Sequence, residues 1–271
     1  MGPRQRPLGG LERSPLTGVA MIPGDRQDPK TRDLSQGLAV ITGAGSGIGR
    51  AIALQLAGRG VPCCLVGRTL SKLQEVANIA SRSGVESIPM AVDLSSSNGI
   101  DGLVQRVKQF ERPIGLLVHC AALMSFSRVE DSSVEEFTTL LSVNVVAPFA
   151  LTKLLLPEIC LSRGQIVFVN SSIVNHAAAG TVQYAATKHA LKGLANGIRQ
   201  EVNALGVRVI SVFPGRTATP LQASVFLREG RQYRPQILLQ PEDIAATVIH
   251  ALALPDTAEV TEIMIRPAIK S

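Results

Sequence analysis

From residue 37 onward, short runs of consecutive apolar residues alternate with helix-length amphipathic segments, and this alternation constrains the fold more than any other feature of the sequence. The runs are LAVIT (38–42), PCCLVG (62–67), SIPMAV (87–92), GLLVHC (115–120), QIVFVN (165–170), VRVISVF (207–213) and EIMIRP (262–267). A strand that is apolar at successive positions, rather than at every second one, must be covered on both faces. Helices supply the cover and make the crossovers that parallel strands require. Because such crossovers are right-handed, the pattern predicts an α/β fold, a doubly wound parallel sheet of about seven strands with its ligand crevice at the carboxyl ends of the strands. No internal repeat or second domain interrupts residues 37–271, which read as one domain.

Composition fits a packed domain, with 45% hydrophobic residues against 18% charged ones in 271 residues. Residues 1–36 are different. They are rich in proline, glycine and arginine and lack apolar periodicity, so a disordered extension is expected there. The same prolines and glycines oppose an amphipathic targeting helix, and translation from Met21 is an alternative that N-terminal sequencing would test. Cys63, Cys64, Cys120 and Cys160 lack CxxC or Cys/His ligand spacing and read as free thiols, with no metal site implied. The net charge of +6 comes without basic runs or interleaved aromatics, which argues against nucleic acid and leaves small anionic cofactors as fitting partners. With no run of eighteen apolar residues and no secretory start, neither a membrane span nor export is expected, and a soluble cytoplasmic protein is the reading.

Directly after the first strand comes TGAGSGIGR (42–50), followed by AIALQLAGRG. Gly43, Gly47 and Gly49, with Ser46 and Ile48 between them, allow a tight turn and close backbone approach, so that a pyrophosphate can sit at the positive end of the following helix. Further along, YAATK (184–188) sets a tyrosine and a lysine four residues apart. On a helix these lie one above the other. A surface pair is the ordinary explanation of that spacing alone, and a lysine that holds a tyrosinate is the chemical one.

The GxxxGxG spacing, the YAATK pair and their order along the chain resemble the short-chain dehydrogenases/reductases, and the resemblance runs through nearly all of residues 37–267. It implies a Rossmann fold and a nicotinamide cofactor. Gly67 stands where the family's NAD-specific carboxylate usually lies and Arg68 follows it, which implies NADP(H), with NAD(H) still possible because no basic residue precedes Gly47. Asp93 matches the family's adenine-binding aspartate, although an aspartate there could equally cap the next turn. Pro214, Gly215 and Thr219 match the segment that meets the carboxamide and phosphates.

The catalytic set implied is Asn144, Ser171, Tyr184 and Lys188, with Ser172 the less favoured serine; Tyr184 and Lys188 also belong to the cofactor site. Tyr184 would be the general acid in carbonyl reduction. Because a phenol titrates near pH ~10, Lys188 and an oxidised nicotinamide are expected to favour tyrosinate. Lys188 would also hydrogen-bond the nicotinamide ribose, Ser171 would hold the substrate oxygen, and Asn144 would anchor a water leading to Lys188. The family habit is a dimer or tetramer, expected here through helices near 133–161 and 181–205.

Two regions depart from the pattern or extend it. HCAA (119–122) replaces the family's NNAG, which puts cofactor affinity in question; a structural role for His119 is favoured over a catalytic one. Residues 217–239 should form a short lid in which Arg228, Arg231 and Arg234 either meet a substrate anion or face solvent, while Phe226 and Tyr233 supply an apolar cover. The reading is an NADP(H)-dependent oxidoreductase that interconverts a carbonyl and a secondary alcohol in a small-molecule substrate. A 3-oxoacyl-thioester reductase of lipid synthesis and a non-catalytic NADP-binding regulator are the alternatives.

Overall fold

A computed structural model describes Gly2 and residues 31–269. Seven parallel strands form one sheet in the order β3-β2-β1-β4-β5-β6-β7. They are β1 (Leu38–Thr42), β2 (Cys63–Gly67), β3 (Ser87–Ala91), β4 (Ile114–His119), β5 (Gln165–Val169), β6 (Arg208–Pro214) and β7 (Glu262–Ile265). The expected sheet is present, each run lying within about a residue or two of its strand. Along β1 the period-2 geometry sends Ala39 and Ile41 to one face and Leu38 and Val40 to the other, and every one of them is buried.

Helices α1 (Gly47–Ala57), α2 (Leu70–Ala80) and α8 (Pro241–Leu252) cover the first face through residues such as Ile52, Leu73 and Val248. The second face is covered by α3 (Ser97–Lys108), α5 (Ala147–Leu161) and α6 (Val182–Val202), through Leu103, Leu151 and Leu191 among others. Helix α4 (Val134–Leu141) runs into α5 through a π-helical turn, Ser142–Val146, so the stretch read as one helix has an extra residue inserted at its middle. The combined run Val134–Leu161 is long and apolar enough to cross a membrane, but Leu140, Leu151, Leu155 and Ile159 are buried in the domain. Helix α7 (Pro220–Arg228) completes the set on the carboxyl side of β6.

Most of the expected extension lies outside the described residues. Residues 31–36, placed in it from sequence, instead join the domain: Asp33 caps a 3-10 turn at Leu34–Gln36, and the Arg32 amide donates to the Ala253 carbonyl at 2.9 Å. The composition of this short stretch gave no sign of that anchoring because its partner lies at the far end of the chain.

Candidate active site

At the carboxyl edge of the sheet lies a cleft of about 1110 Å³. The loop after β1 forms its floor. Gly43 and Gly47 have φ of +70° and +52°, where side chains are strained. A Cβ on Gly49 would stand 2.4 Å from the Gly43 carbonyl oxygen, so the helix can begin this close to the turn only with glycine there. The amino end of α1, bounded by Gly43, Ser46, Gly47 and Ile48, therefore opens directly on the cleft. Thr219 seats the other wall: its Cγ2 would lie 2.9 Å from a Cβ on Gly47, and its hydroxyl caps α7 by accepting from the Gln222 amide. Pro214 and Gly215 line the cleft beside it. These residues make a cradle suited to a diphosphate, and they fit a dinucleotide cofactor.

Thr42, not singled out from sequence, ties the floor to the next wall. Its hydroxyl donates to the Val118 carbonyl and accepts from the amides of Cys120 and Ala121, at 3.0 and 3.1 Å. The HCAA segment is thus braced from β1. His119 points away from the cleft: it is buried, stacks on Phe168 at 4.8 Å, and its Nε2 pairs with the Thr152 hydroxyl at 2.9 Å. Burial pulls its pKa down to about 3, so it is a neutral structural residue. Glu111 and Arg163 alone among the described non-glycine residues have positive φ, so Ala122 needs none of the freedom its glycine counterpart offers. Burial likewise pushes the Cys63, Cys64 and Cys120 thiols up to about 12, and all four cysteines are free.

At one end of the cleft lie Arg68, Asp93 and Lys72, the last on the first turn of α2 and absent from the sequence expectations. Asp93 does cap a turn, accepting from the Ser95 amide and hydroxyl through Oδ1 at 2.9 and 2.7 Å. Those bonds hold its carboxyl below the usual range, with a smaller contribution from Arg68.

The other end gathers Ser171, Tyr184 and Lys188. Ser171 follows β5, and its hydroxyl accepts from the Ile173 amide at 3.2 Å. Tyr184 and Lys188 project from one face of α6, the ammonium 5.7 Å from the phenol ring centroid. Lys188 is 2% exposed and donates to the Val169 carbonyl at 3.1 Å. Ser172 also lines the cleft. Of the two serines, Ser171 is the one whose hydroxyl lowers the pKa of the phenol.

Burial dominates the titration of this pair in the protein alone. Burial pushes the Tyr184 phenol up to about 12, against a smaller lowering by the Ser171 hydroxyl, and pulls Lys188 down to about 8. Desolvation is the largest influence on both groups, and in the protein alone it favours the protonated phenol.

Asn144 lies in the π turn and is 1% exposed. Its side chain is fully engaged, accepting from the Leu123 amide at 2.8 Å and donating to the Leu123 carbonyl and the Thr187 hydroxyl. Its amide group therefore braces the loop after β4 against α6. Asn170, a second residue missed from sequence, braces the serine: its side chain accepts from the Ser171 amide at 2.9 Å and donates to the Lys188 carbonyl at 3.1 Å.

The lid closes on itself at its base. The Ala218 amide donates to the Leu239 carbonyl and the Leu239 amide to the Arg216 carbonyl, at 2.8 and 3.1 Å. Inside, the guanidiniums of Arg216 and Arg231 stand over the Phe226 ring at 5.0 and 5.2 Å, and the ring meets Tyr233 edge-on. Both arginines pair with Glu229, Arg216 in two-pronged fashion at 2.8 and 2.9 Å. Arg228, Arg231 and Arg234 do not line the cleft, whereas Arg216, Glu229 and Arg266 do.

Comparison with known proteins places this architecture among relatives. The family described as short chain dehydrogenase matches residues 37–230. An uncharacterised oxidoreductase of Staphylococcus aureus is 32% identical over 235 residues, 86% of this chain and 98% of that protein. Among solved structures, an alcohol dehydrogenase from the archaeon Thermococcus sibiricus complexed with 5-hydroxy-NADP superposes with a TM-score of 0.79 at 27% identity, over 87% of this chain and 98% of that one. A metagenomic short-chain oxidoreductase in complex with NADP gives 0.76 at 28% identity, over 88% and 100%.

Proposed function

The chain belongs to the short-chain dehydrogenase family of oxidoreductases, and from that premise we propose that it is an NADP(H)-dependent reductase of a small carbonyl substrate, with Tyr184 as proton donor. The observation that carries the reading is the convergence of Ser171, Tyr184 and Lys188 on one cleft whose opposite end is a glycine cradle. A bound nicotinamide would supply the hydride. The chain's own part is to bind, orient and exchange a proton. Ser171 holds the carbonyl oxygen beside the phenol, and the buried, protonated Tyr184 delivers its proton to that oxygen. Lys188, open to the cleft and close to the phenol, feeds the proton path, with a water on the Asn144 main-chain carbonyl as the link to solvent.

The diphosphate would sit on the amides of residues 46–49 and against Thr219. Arg68 and Lys72 offer two cations for a 2′-phosphate at the end where no carboxylate follows β2, and both neighbours described above carry NADP or a derivative of it. Exposed Val146, Phe149 and Val182 on the helices of the second face favour pairing of subunits there, in keeping with a cytoplasmic dimer or tetramer.

Fluorescence titration with NADPH and NADH, followed by NADPH oxidation over a panel of ketones, oxo acids and acyl thioesters, tests the reading. Tyr184→Phe should retain cofactor binding and lose at least about a hundredfold in turnover. Turnover close to wild type in that variant would remove Tyr184 from the mechanism, and preference for carrier-bound thioesters would favour the lipid-synthesis alternative.

A further inference from the structure

The cleft holds a cation that the catalytic set leaves unused, at the end of β7 where its backbone packs against Gly215. Arg266 follows β7, where Ile265 is the register partner of Pro214 at the carboxyl end of β6. It lines the cleft with Ser171 and Tyr184, is exposed to it, and has no carboxylate partner among the described residues. The neighbouring charges are settled differently. Glu229 is the acidic group on this side, and Arg216 and Arg231 already bind it. Asp93, the other acidic residue of the cleft, lies toward Arg68 at the far end. An anion entering beside Arg266 would therefore meet no uncompensated negative charge.

Distance also suits a small molecule. From β5, which delivers Ser171, to β7, which delivers Arg266, are two inter-strand spacings, about 10 Å, and an arginine side chain crosses part of that gap. Met264, held near Asn175 (Nδ2 to Sδ, 3.7 Å), and Val225 give the cleft an apolar stretch, and its charged lining residues Arg216 and Glu229 are paired with each other. One uncompensated guanidinium balances a monoanion, and its planar fork matches a carboxylate.

We propose that Arg266 is a specificity-determining residue that binds the carboxylate of a small oxo acid, or of the corresponding hydroxy acid, while its carbonyl or carbinol oxygen rests on Ser171 and Tyr184. The inference rests on the reductase reading above and narrows its substrate to carboxylate-bearing carbonyl compounds.

The test compares NADPH oxidation with acetoacetate and 4-oxopentanoate, each beside its methyl ester, and with dihydroxyacetone phosphate, in the wild type, Arg266→Gln and Arg266→Lys. NADPH affinity is measured separately by fluorescence. The wild type should favour each acid over its ester and over the phosphate. In Arg266→Gln the acid KM should rise about 10- to 100-fold, the loss of one charge-assisted hydrogen-bond pair, with ester kinetics and NADPH affinity unchanged. Arg266→Lys should recover part of the loss. Preference for the esters or the phosphate in the wild type, an equal fall for acid and ester, or weakened NADPH binding in Arg266→Gln would each overturn the assignment. Ester turnover without acid preference would sink this inference alone; NADPH binding without turnover of any carbonyl would sink the reductase reading with it.

Discussion

Replacing Lys188 by methionine should make the cofactor-free protein more stable at neutral pH while abolishing its chemistry. Lys188 is 2% exposed, with the Val169 carbonyl as its hydrogen-bond acceptor, and burial lowers its pKa from the ordinary 10.5 to about 8. Between those values the unfolded chain holds a proton that the folded chain has released, so stability rises with pH from 8 to 10.5. The drop corresponds to about 3 kcal/mol, absent at neutrality and fully recovered by pH 10.5. Methionine has similar length and carries no charge to desolvate, but it leaves the Val169 carbonyl without this donor, which costs about 1 kcal/mol. The balance at pH 7 is a gain of about 2 kcal/mol, or about 4–8 °C in Tm for a domain of this size. Tyr184 acts in the opposite sense, its raised pKa removing stability between pH 10 and 12, and it does so in both proteins. Thermal unfolding of wild type and Lys188→Met from pH 7 to 10.5 isolates the lysine in the difference between the two curves. That difference should favour the variant at pH 7 and vanish or reverse by pH 10.5. A variant less stable than wild type at pH 7, or a difference independent of pH, would refute the argument.

Gly49→Ala should destabilise the protein by at least about 2 kcal/mol and weaken NADPH binding, because the new Cβ meets backbone at 2.4 Å; Gly102→Ala, where nothing lies within 4 Å, should be neutral or stabilising by up to about 1 kcal/mol in the same denaturant titration. Asn144→Ala strips three hydrogen bonds from a buried site and should cost about 2–4 kcal/mol by chemical denaturation, with faster hydrogen exchange at the Leu123 amide as its local signature. Arg68→Ala should narrow the ratio of NADPH to NADH affinity about tenfold and Lys72→Ala should do so to a lesser degree, whereas equal losses for both cofactors would mean that neither residue reads the 2′-phosphate.

The sheet was legible because strands buried on both faces must be apolar throughout, and Cys63–Val66 or Ile166–Val169 leave no other economical reading. Tyr184, Lys188 and the glycines of the first turn were legible through spacing, since a helix face and a tight turn each impose a fixed residue interval, whereas Ser171 and Asn144 were legible only through the resemblance to a family. Side chains whose partners are distant backbone groups were not. Nothing near Thr42, Asn170 or Asn144 in sequence marks Ala121, Lys188 or Leu123 as the groups they hold. The π turn was hidden because an inserted residue hardly disturbs an apolar pattern already continuous from Val143 to Ala147 apart from Asn144 itself. Of the two readings of the lid arginines, the structure takes the solvent-facing one: Arg228, Arg231 and Arg234 are exposed and off the cleft, while Glu229 lies among them and only the fold brings Arg216 to it.

The self-closing base of the lid bears on how such a protein can change its habits. Residues 216–239 are joined at their two ends by backbone hydrogen bonds and fastened internally by Phe226 and Glu229, while Asn144, Asn170 and Thr42 secure the reacting groups without using any of them. The segment is in effect an exchangeable cassette. A lineage, or an engineer, could replace the part beyond Thr219, which stays as a wall of the glycine cradle, and meet new substrates with the proton chemistry beneath untouched.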